Sequence, residues 1–174
     1  YVYTASNPVN ANIDACTISG NTAMRGGGLW VRALGTAIKD TTINGNTANM
    51  SMTAVSPSTS SLPGGGIYAE ILKDAVVNLT GSTHVYNNQT PNERVYAVGT
   101  NKGISSDIFL GSTSTSPMTL NIDPGVLEPY QTGESTYTLT DSGAISTTAL
   151  KGYYSATIRP TGVYFDTQER KHPA

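Results

Sequence analysis

IDACTISGNTA occupies residues 13–23 and IKDTTINGNTA residues 38–48. At a constant offset of 25, seven of the eleven positions are identical: Ile13/Ile38, Thr17/Thr42, Ile18/Ile43, Gly20/Gly45, Asn21/Asn46, Thr22/Thr47 and Ala23/Ala48. A weaker copy, LTGSTHVYNNQ, lies at 79–89. With Val85 placed on Ile43, Asn88 falls on Asn46, and one extra residue precedes it. Cys16, Thr41 and Thr83 then share a position. A second element alternates with the first: GGGLWV at 26–31, GGGIYA at 64–69 and SSDIFL at 105–110. Val2-Tyr3-Thr4 reads as the tail of a further copy of that second element.

Each element has the length of a short strand, with Gly and Asn supplying the positive φ that corners require. One short strand per face cannot bury its own apolar side. Copies stacked at the ~4.8 Å spacing of hydrogen-bonded strands can. The expected fold is therefore all-β, a short parallel β-helix (solenoid). Residues 1–110 form its coils, interrupted by insertions at 49–63 and 90–103. Residues 111–117, GSTSTSP, read as a linker or turn. Residues 118–174 alternate like strands but lose the Asn and Gly signature. They form a non-repetitive, β-rich C-terminal region that ends the repeat as a cap, as irregular coils or as a small separate sheet.

The strings SGNTA followed by GGGLWV, and NGNTA followed by PGGGIYA, resemble the polymorphic outer-membrane-protein type repeats. The resemblance covers roughly residues 1–110. It implies a right-handed helix, in line with the general hand of parallel crossovers. It also implies a bacterial surface or secreted protein, adhesin-like or autotransporter-passenger-like. The third copy departs from the pattern, with Asn-Asn-Gln for Gly-Asn-Thr and Ser-Ser-Asp for Gly-Gly-Gly.

Composition agrees with strands and turns. Thr, Ser and Asn number 25, 17 and 13 of 174 residues, with 18 Gly and 9 Pro. Charged residues are only 13%, against ~25% in ordinary domains. The net charge of −2 provides no basic field for nucleic acid, and no apolar run is long enough for membrane insertion of this segment. The single cysteine, Cys16, reads as a small buried hydrophobe. The opening at Tyr1 reads as the interior of a longer chain.

Equivalent positions in stacked copies lie over one another, so Asn21, Asn46 and Asn88 are expected to form a ladder of side-chain amides. Alternation in the second element turns Leu29 and Val31 inward and Trp30, Tyr68 and Phe109 outward, with Tyr3 preceding them in the row. That row is either a stabilising stack covered by other parts of the chain or a binding platform for sugar rings or a protein partner. Asn and Gly are 5 residues apart in the first copy (21 to 26) but 18 apart in the second (46 to 64), and Asn88 to Ser105 is 17. The two insertions thus leave from one corner. The second carries Arg94, Tyr96 and Lys102, candidate polar contacts beside the aromatic row.

Catalytic chemistry finds no support in the residues. Asp14, Asp40, Glu70, Asp74, Glu93 and Asp107 are scattered, without the paired carboxylates of glycoside hydrolysis. The glycine triplets lack the Gly-Lys-Ser/Thr ending of a phosphate loop. No Cys/His metal spacing exists, and no cofactor is indicated. The expected function is a non-enzymatic module at the bacterial cell surface or outside the cell, either a structural stalk or a face that binds a glycan or a host protein. The alternative is a carbohydrate-active enzyme, a polysaccharide lyase or glycoside hydrolase, on the same scaffold.

Overall fold

A computed structural model describes residues 2–3, 10–48, 64–90, 104–105, 107–123, 135–139, 145–147, 154–159 and 162–167. Among them the chain is all-β, without a helix, and most strands pair in parallel. Four sheets are built. Sheet I holds β1 (Val2–Tyr3), β5 (Leu29–Arg32), β9 (Ile67–Ala69), β14 (Ile108–Leu110), β19 (Gly162–Thr167) and β18 (Tyr154–Arg159), in that order. Sheet II holds β2 (Asn10–Asp14), β6 (Gly35–Lys39), β10 (Val76–Thr80), β15 (Thr119–Ile122), β16 (Ser135–Leu139) and β17 (Ile145–Thr147). Sheet III holds β3 (Thr17–Ser19), β7 (Thr42–Asn44) and β11 (His84–Tyr86). Sheet IV holds β4 (Thr22–Ala23), β8 (Thr47–Ala48), β12 (Gln89–Thr90) and β13 (Ile104–Ser105).

From β2 to β15 the chain visits sheets II, III, IV and I in the same cyclic order, and each visit adds a parallel strand beside the previous one, apart from β13, which turns back antiparallel beside β12 in sheet IV. The register is the one the repeat implies: Ile13↔Ile38, Ile18↔Ile43 and Ile43↔Val85. Corners recur with it. Gly20, Gly45 and Asn87 take φ of 66°, 62° and 54° at equivalent positions. Asparagine tolerates this left-handed conformation better than other non-glycine residues, so the third copy turns its corner without glycine.

Inside, the passes stack like on like. Ile38, Leu79 and Ile122 form one column and Ile67 lies beside Ile108 in another, all at 1% exposure or less. Burying each such side chain is worth about 1.5–3 kcal/mol. The core continues through Leu29, Val31, Ile43, Val85, Leu110 and Leu120 into one cluster.

The parallel series runs past residue 110. Residues 112–118 form a turn closed by Thr113 and Ser116, and Ser112 Oγ accepts the Met118 N–H at 2.7 Å. β15 then pairs in parallel with β10. Beyond it the direction reverses. β16 and β17 extend sheet II antiparallel, and β19 with β18 extends sheet I antiparallel. Tyr137 from sheet II meets Phe165 from sheet I edge-on at 5.1 Å, both buried, so aromatic rings fill the interior at this end.

Two expectations are corrected here. Cys16 is exposed, with its Sγ against Asp14 O at 3.1 Å, because β2 and β3 are edge strands and nothing lies over this corner as it does over Thr41 and Thr83. Tyr3 stands opposite Arg32 and Val2 opposite Val31, so Tyr3 is two residues out of register with Trp30.

Two measurements follow from this packing. Ile43 is fully buried between Ile18 and Val85. Ile43→Asp places an unpaired charge there and is expected to destabilise by several kcal/mol in urea unfolding; a midpoint equal to wild type would contradict the register. Half-burial of His84 pushes its pKa below the ordinary histidine value, through desolvation of the charged ring. As pH falls through about 6.5 the unfolded chain takes up a proton that the folded chain does not yet bind. Stability from this group is therefore full above that pH and lost as pH falls toward the depressed folded value. His84→Gln should remove that part of the slope between pH 7.5 and 5.

Candidate functional site

The corner between sheets III and IV carries the amide ladder. Asn46 Oδ1 accepts both the N–H and the Nδ2–H of Asn21, each at 3.0 Å. Asn88 Oδ1 accepts the same pair from Asn46 at 3.1 and 2.9 Å. The second Nδ2 hydrogen of Asn46 reaches Ile18 O at 2.9 Å, and Asn88 Nδ2 reaches Ile43 O at 2.9 Å. Asn46 and Asn88 are fully buried. Their donors and acceptors are therefore engaged inside the protein, as burial demands. A parallel hydroxyl ladder runs at the corner between sheets II and III. Thr41 Oγ1 accepts the Cys16 N–H, and Thr83 Oγ1 accepts the Thr41 N–H.

The amide ladder ends on a residue that sequence reasoning treated only as a scattered acid. Asp107 Oδ1 accepts the Asn88 N–H and Nδ2–H, both at 3.0 Å, with the side chain fully buried. Asp107 occupies the position of Gly28 and Gly66, since Leu29 N–H bonds Gly66 O and Ile67 N–H bonds Asp107 O. A Cβ on Gly28 would lie 2.9 Å from Asn46 Nδ2, and one on Gly66 would lie 2.7 Å from Asn88 Nδ2. These glycines leave room for the ladder. At the last step no asparagine follows, and the carboxylate enters that space to supply the missing oxygen. The replacement of the third Gly by Asp was the available signal.

On the outer side of sheet I, Trp30, Tyr68 and Phe109 are neighbours in register. Tyr68 stacks on Phe109 at 5.1 Å and 16°, and Trp30 meets Tyr68 edge-on at 5.9 Å. The in/out phase is as alternation requires, because Leu29, Ile67 and Ile108 belong to the core cluster and these rings do not. The row is not a solvent-facing platform, however. Tyr68 is 3% exposed and Phe109 0%, while Trp30 is half-buried. β5 alternates buried and half-buried positions, whereas every residue of β9 and β14 is buried. Continuous apolar triplets, Ile67-Tyr68-Ala69 and Ile108-Phe109-Leu110, are the composition of strands covered on both faces.

Trp30 is thus the accessible end of the row. Its Nε1–H donates to Glu70 Oε2 at 3.1 Å. Arg25 lies over the Tyr68 ring, 5.7 Å from its centroid. Arg32 and Glu70 follow the Val31–Ala69 pair on their strands, and both are half-buried. Glu70, Arg25 and Arg32 were not assigned to the site from sequence; Arg32 follows Trp30 on the same strand, while Glu70 reaches Trp30 and Arg25 reaches the Tyr68 ring only across strands. Apart from Thr90, the insertions 49–63 and 90–103, with Arg94, Tyr96 and Lys102, lie outside the described residues. The first interrupts the chain between β8 of sheet IV and β9 of sheet I, whereas the second lies between β12 and β13, both of sheet IV, ahead of β14 in sheet I.

Among the described residues no group of three or more His, Cys, Asp or Glu is placed to hold a metal ion, and no helix is long and apolar enough to cross a membrane. No family model matches the chain, and no curated protein or solved structure matches it.

The ladder predicts unequal effects at neighbouring positions. Asn46→Ala should lose about 1–3 kcal/mol of unfolding free energy, because buried ladder groups lose their partners. Asn44→Ala gives up only a partly buried bond to Tyr86 Oη at 3.2 Å and should lose less than about 1 kcal/mol. Gly66→Ala should resemble Asn46→Ala, since its Cβ would press on Asn88 and on Asp107 O. Equal losses at positions 44 and 46 would remove the ladder from the account of stability.

Proposed function

We propose that the chain is a short right-handed parallel β-helix, a non-enzymatic module of a bacterial surface or secreted protein of the polymorphic outer-membrane-protein repeat type. Its binding face, on this reading, is the accessible part of the outer face of sheet I around Trp30, and its ligand is a glycan or a host protein.

The observation that carries this reading is where the polar groups go. Asn21, Asn46 and Asn88 connect successive passes at one corner, with Asp107 closing the last of them, and Thr41 and Thr83 connect passes at another. Asp40 receives the Ser82 N–H at 2.8 Å at a corner, in the same structural capacity. A scaffold whose buried ladder side chains are occupied in this way favours a structural module over a catalyst. The cyclic order of four sheets supports the helical form, and the general hand of parallel crossovers supports its handedness.

Trp30 supports the binding role. Its ring is partly accessible, its indole N–H is oriented by Glu70, and Arg25 and Arg32 stand on the same side. A flat apolar face bordered by a carboxylate and guanidinium groups suits a ring with hydroxyls, or a protein side chain of mixed polarity. The backbone beneath is held by parallel pairing to β9, so binding there orders little new structure.

A glycan array and a pull-down from host-cell surface extract test the proposal on wild type, Trp30→Ala, Glu70→Gln and Arg94→Ala. Saturable binding without turnover is expected, weakened at least tenfold by Trp30→Ala and less by Glu70→Gln. Binding unchanged in all three variants would place the ligand elsewhere. Absence of binding would leave the stalk role alone, and turnover of a polysaccharide would favour the enzyme.

A further inference from the structure

Every ladder oxygen accepts two hydrogen bonds from the asparagine before it in the ladder, with one exception. Asn46 Oδ1, Asn88 Oδ1 and Asp107 Oδ1 are each filled by the N–H and Nδ2–H of the asparagine before them. Asn21 stands first. Its N–H and Nδ2–H are given to Asn46 Oδ1 and Ser19 O, but its own Oδ1 accepts no hydrogen bond from the described residues, and the residue is exposed. The hydroxyl ladder has the same asymmetry. Thr83 and Thr41 accept from the preceding pass, whereas Cys16 Sγ only contacts Asp14 O.

The strands agree. β2, β3 and β4 are the edge strands of sheets II, III and IV, but on sheet I β1 already lies beyond β5. Ile13 and Ile18 are only partly buried, while their register partners Ile38 and Ile43 are fully covered. The opposite end is unlike this one. There Asp107 terminates the ladder, antiparallel strands extend sheets I and II, and Tyr137 and Phe165 fill the interior.

We propose that the edge formed by β2, β3 and β4 is a docking surface for one further strand–corner–strand segment of the repeat's own type. The segment lies in parallel register, places apolar residues over Ile13 and Ile18, and donates an asparagine N–H and Nδ2–H to Asn21 Oδ1. A second folded copy of the chain does not meet this requirement. Its ladder donors at Asn21, Asn46 and Asn88 are already engaged, so among the described residues no ladder amide is left to offer at that position. The occupant is therefore a segment whose asparagine is not yet in a ladder. Main-chain pairing at an exposed edge supplies the attraction, and the side-chain positions supply the register. The inference rests on the parallel-pass reading of the fold but not on the binding role of Trp30.

The test uses the full chain in two formats. In the first, a peptide of residues 35–48, GTAIKDTTINGNTA, is titrated into the protein while amide hydrogen exchange is followed across residues 10–23. In the second, residues 10–30 are repeated directly ahead of Val2, which sits opposite Val31 and so continues the register. Exchange across 10–23 is expected to slow at least tenfold in the fused form, and its melting temperature to rise. Replacing the added ladder asparagine by alanine, or Asn21→Ala in the receiving edge, should abolish most of that protection; a melt of Asn21→Ala alone checks that the exposed position leaves the fold intact. The peptide should protect the same amides, more weakly. The proposal fails if neither format slows exchange, or if the alanine versions protect equally. It also fails if the unmodified protein self-associates with concentration and protects the same amides, which would make a second copy the occupant. Glycan binding measured on the same samples reports on Trp30 separately.

Discussion

The fold depends on satisfying amides that are buried between successive passes of the chain. A side-chain amide with no partner in that position would cost about 1–3 kcal/mol, so an asparagine is tolerable there only if every pass presents the same group at the same height. Asn46 and Asn88 meet that condition by donating forward and accepting from behind. The neighbouring glycines follow from it, because a Cβ at Gly28 or Gly66 would strike the amides. The carboxylate of Asp107 follows as well. It accepts only, and so ends a chain of donors without leaving a new donor behind.

The ladder gives the molecule a direction. At one end it stops on an acceptor, and antiparallel strands and an aromatic pair close the sheets. At the other end an acceptor stands open above three edge strands. Exposed edges of this kind attract unpaired strands in general. Here the pairing is selective, because the side chains at the edge specify both the residue type and the register of what can join it.

Sheet I divides its outer face between two roles. Toward β14 the rings of Tyr68 and Phe109 are packed away and contribute apolar burial on a second side of the sheet. Toward β5 the cover thins, and Trp30 remains partly accessible with Glu70 holding its indole N–H. The proposed recognition surface is small for that reason. It consists of one ring and the few charged groups near it, rather than a long aromatic strip.

The repeat by itself determined which residues stand beside which. Ile13 on Ile38, Ile18 on Ile43, Asn21 on Asn46 and Trp30 on Tyr68 all follow from self-similarity, since identical short segments reach their best packing when aligned like on like. The alternation of core and outer positions in β5, β9 and β14 was legible for the same local reason. Exposure was not. Cys16 shares its position with two buried threonines yet lies in the open, and Tyr68 and Phe109 share theirs with a half-buried tryptophan yet are enclosed. The capture of the ladder by Asp107, the continuation of the parallel series into β15, the reversal to antiparallel strands and the placing of Glu70 on Trp30 and of Arg25 over Tyr68 also required the assembled chain. Register is carried by residues a fixed distance apart along the chain. Burial is decided by whichever distant segments finally lie on top.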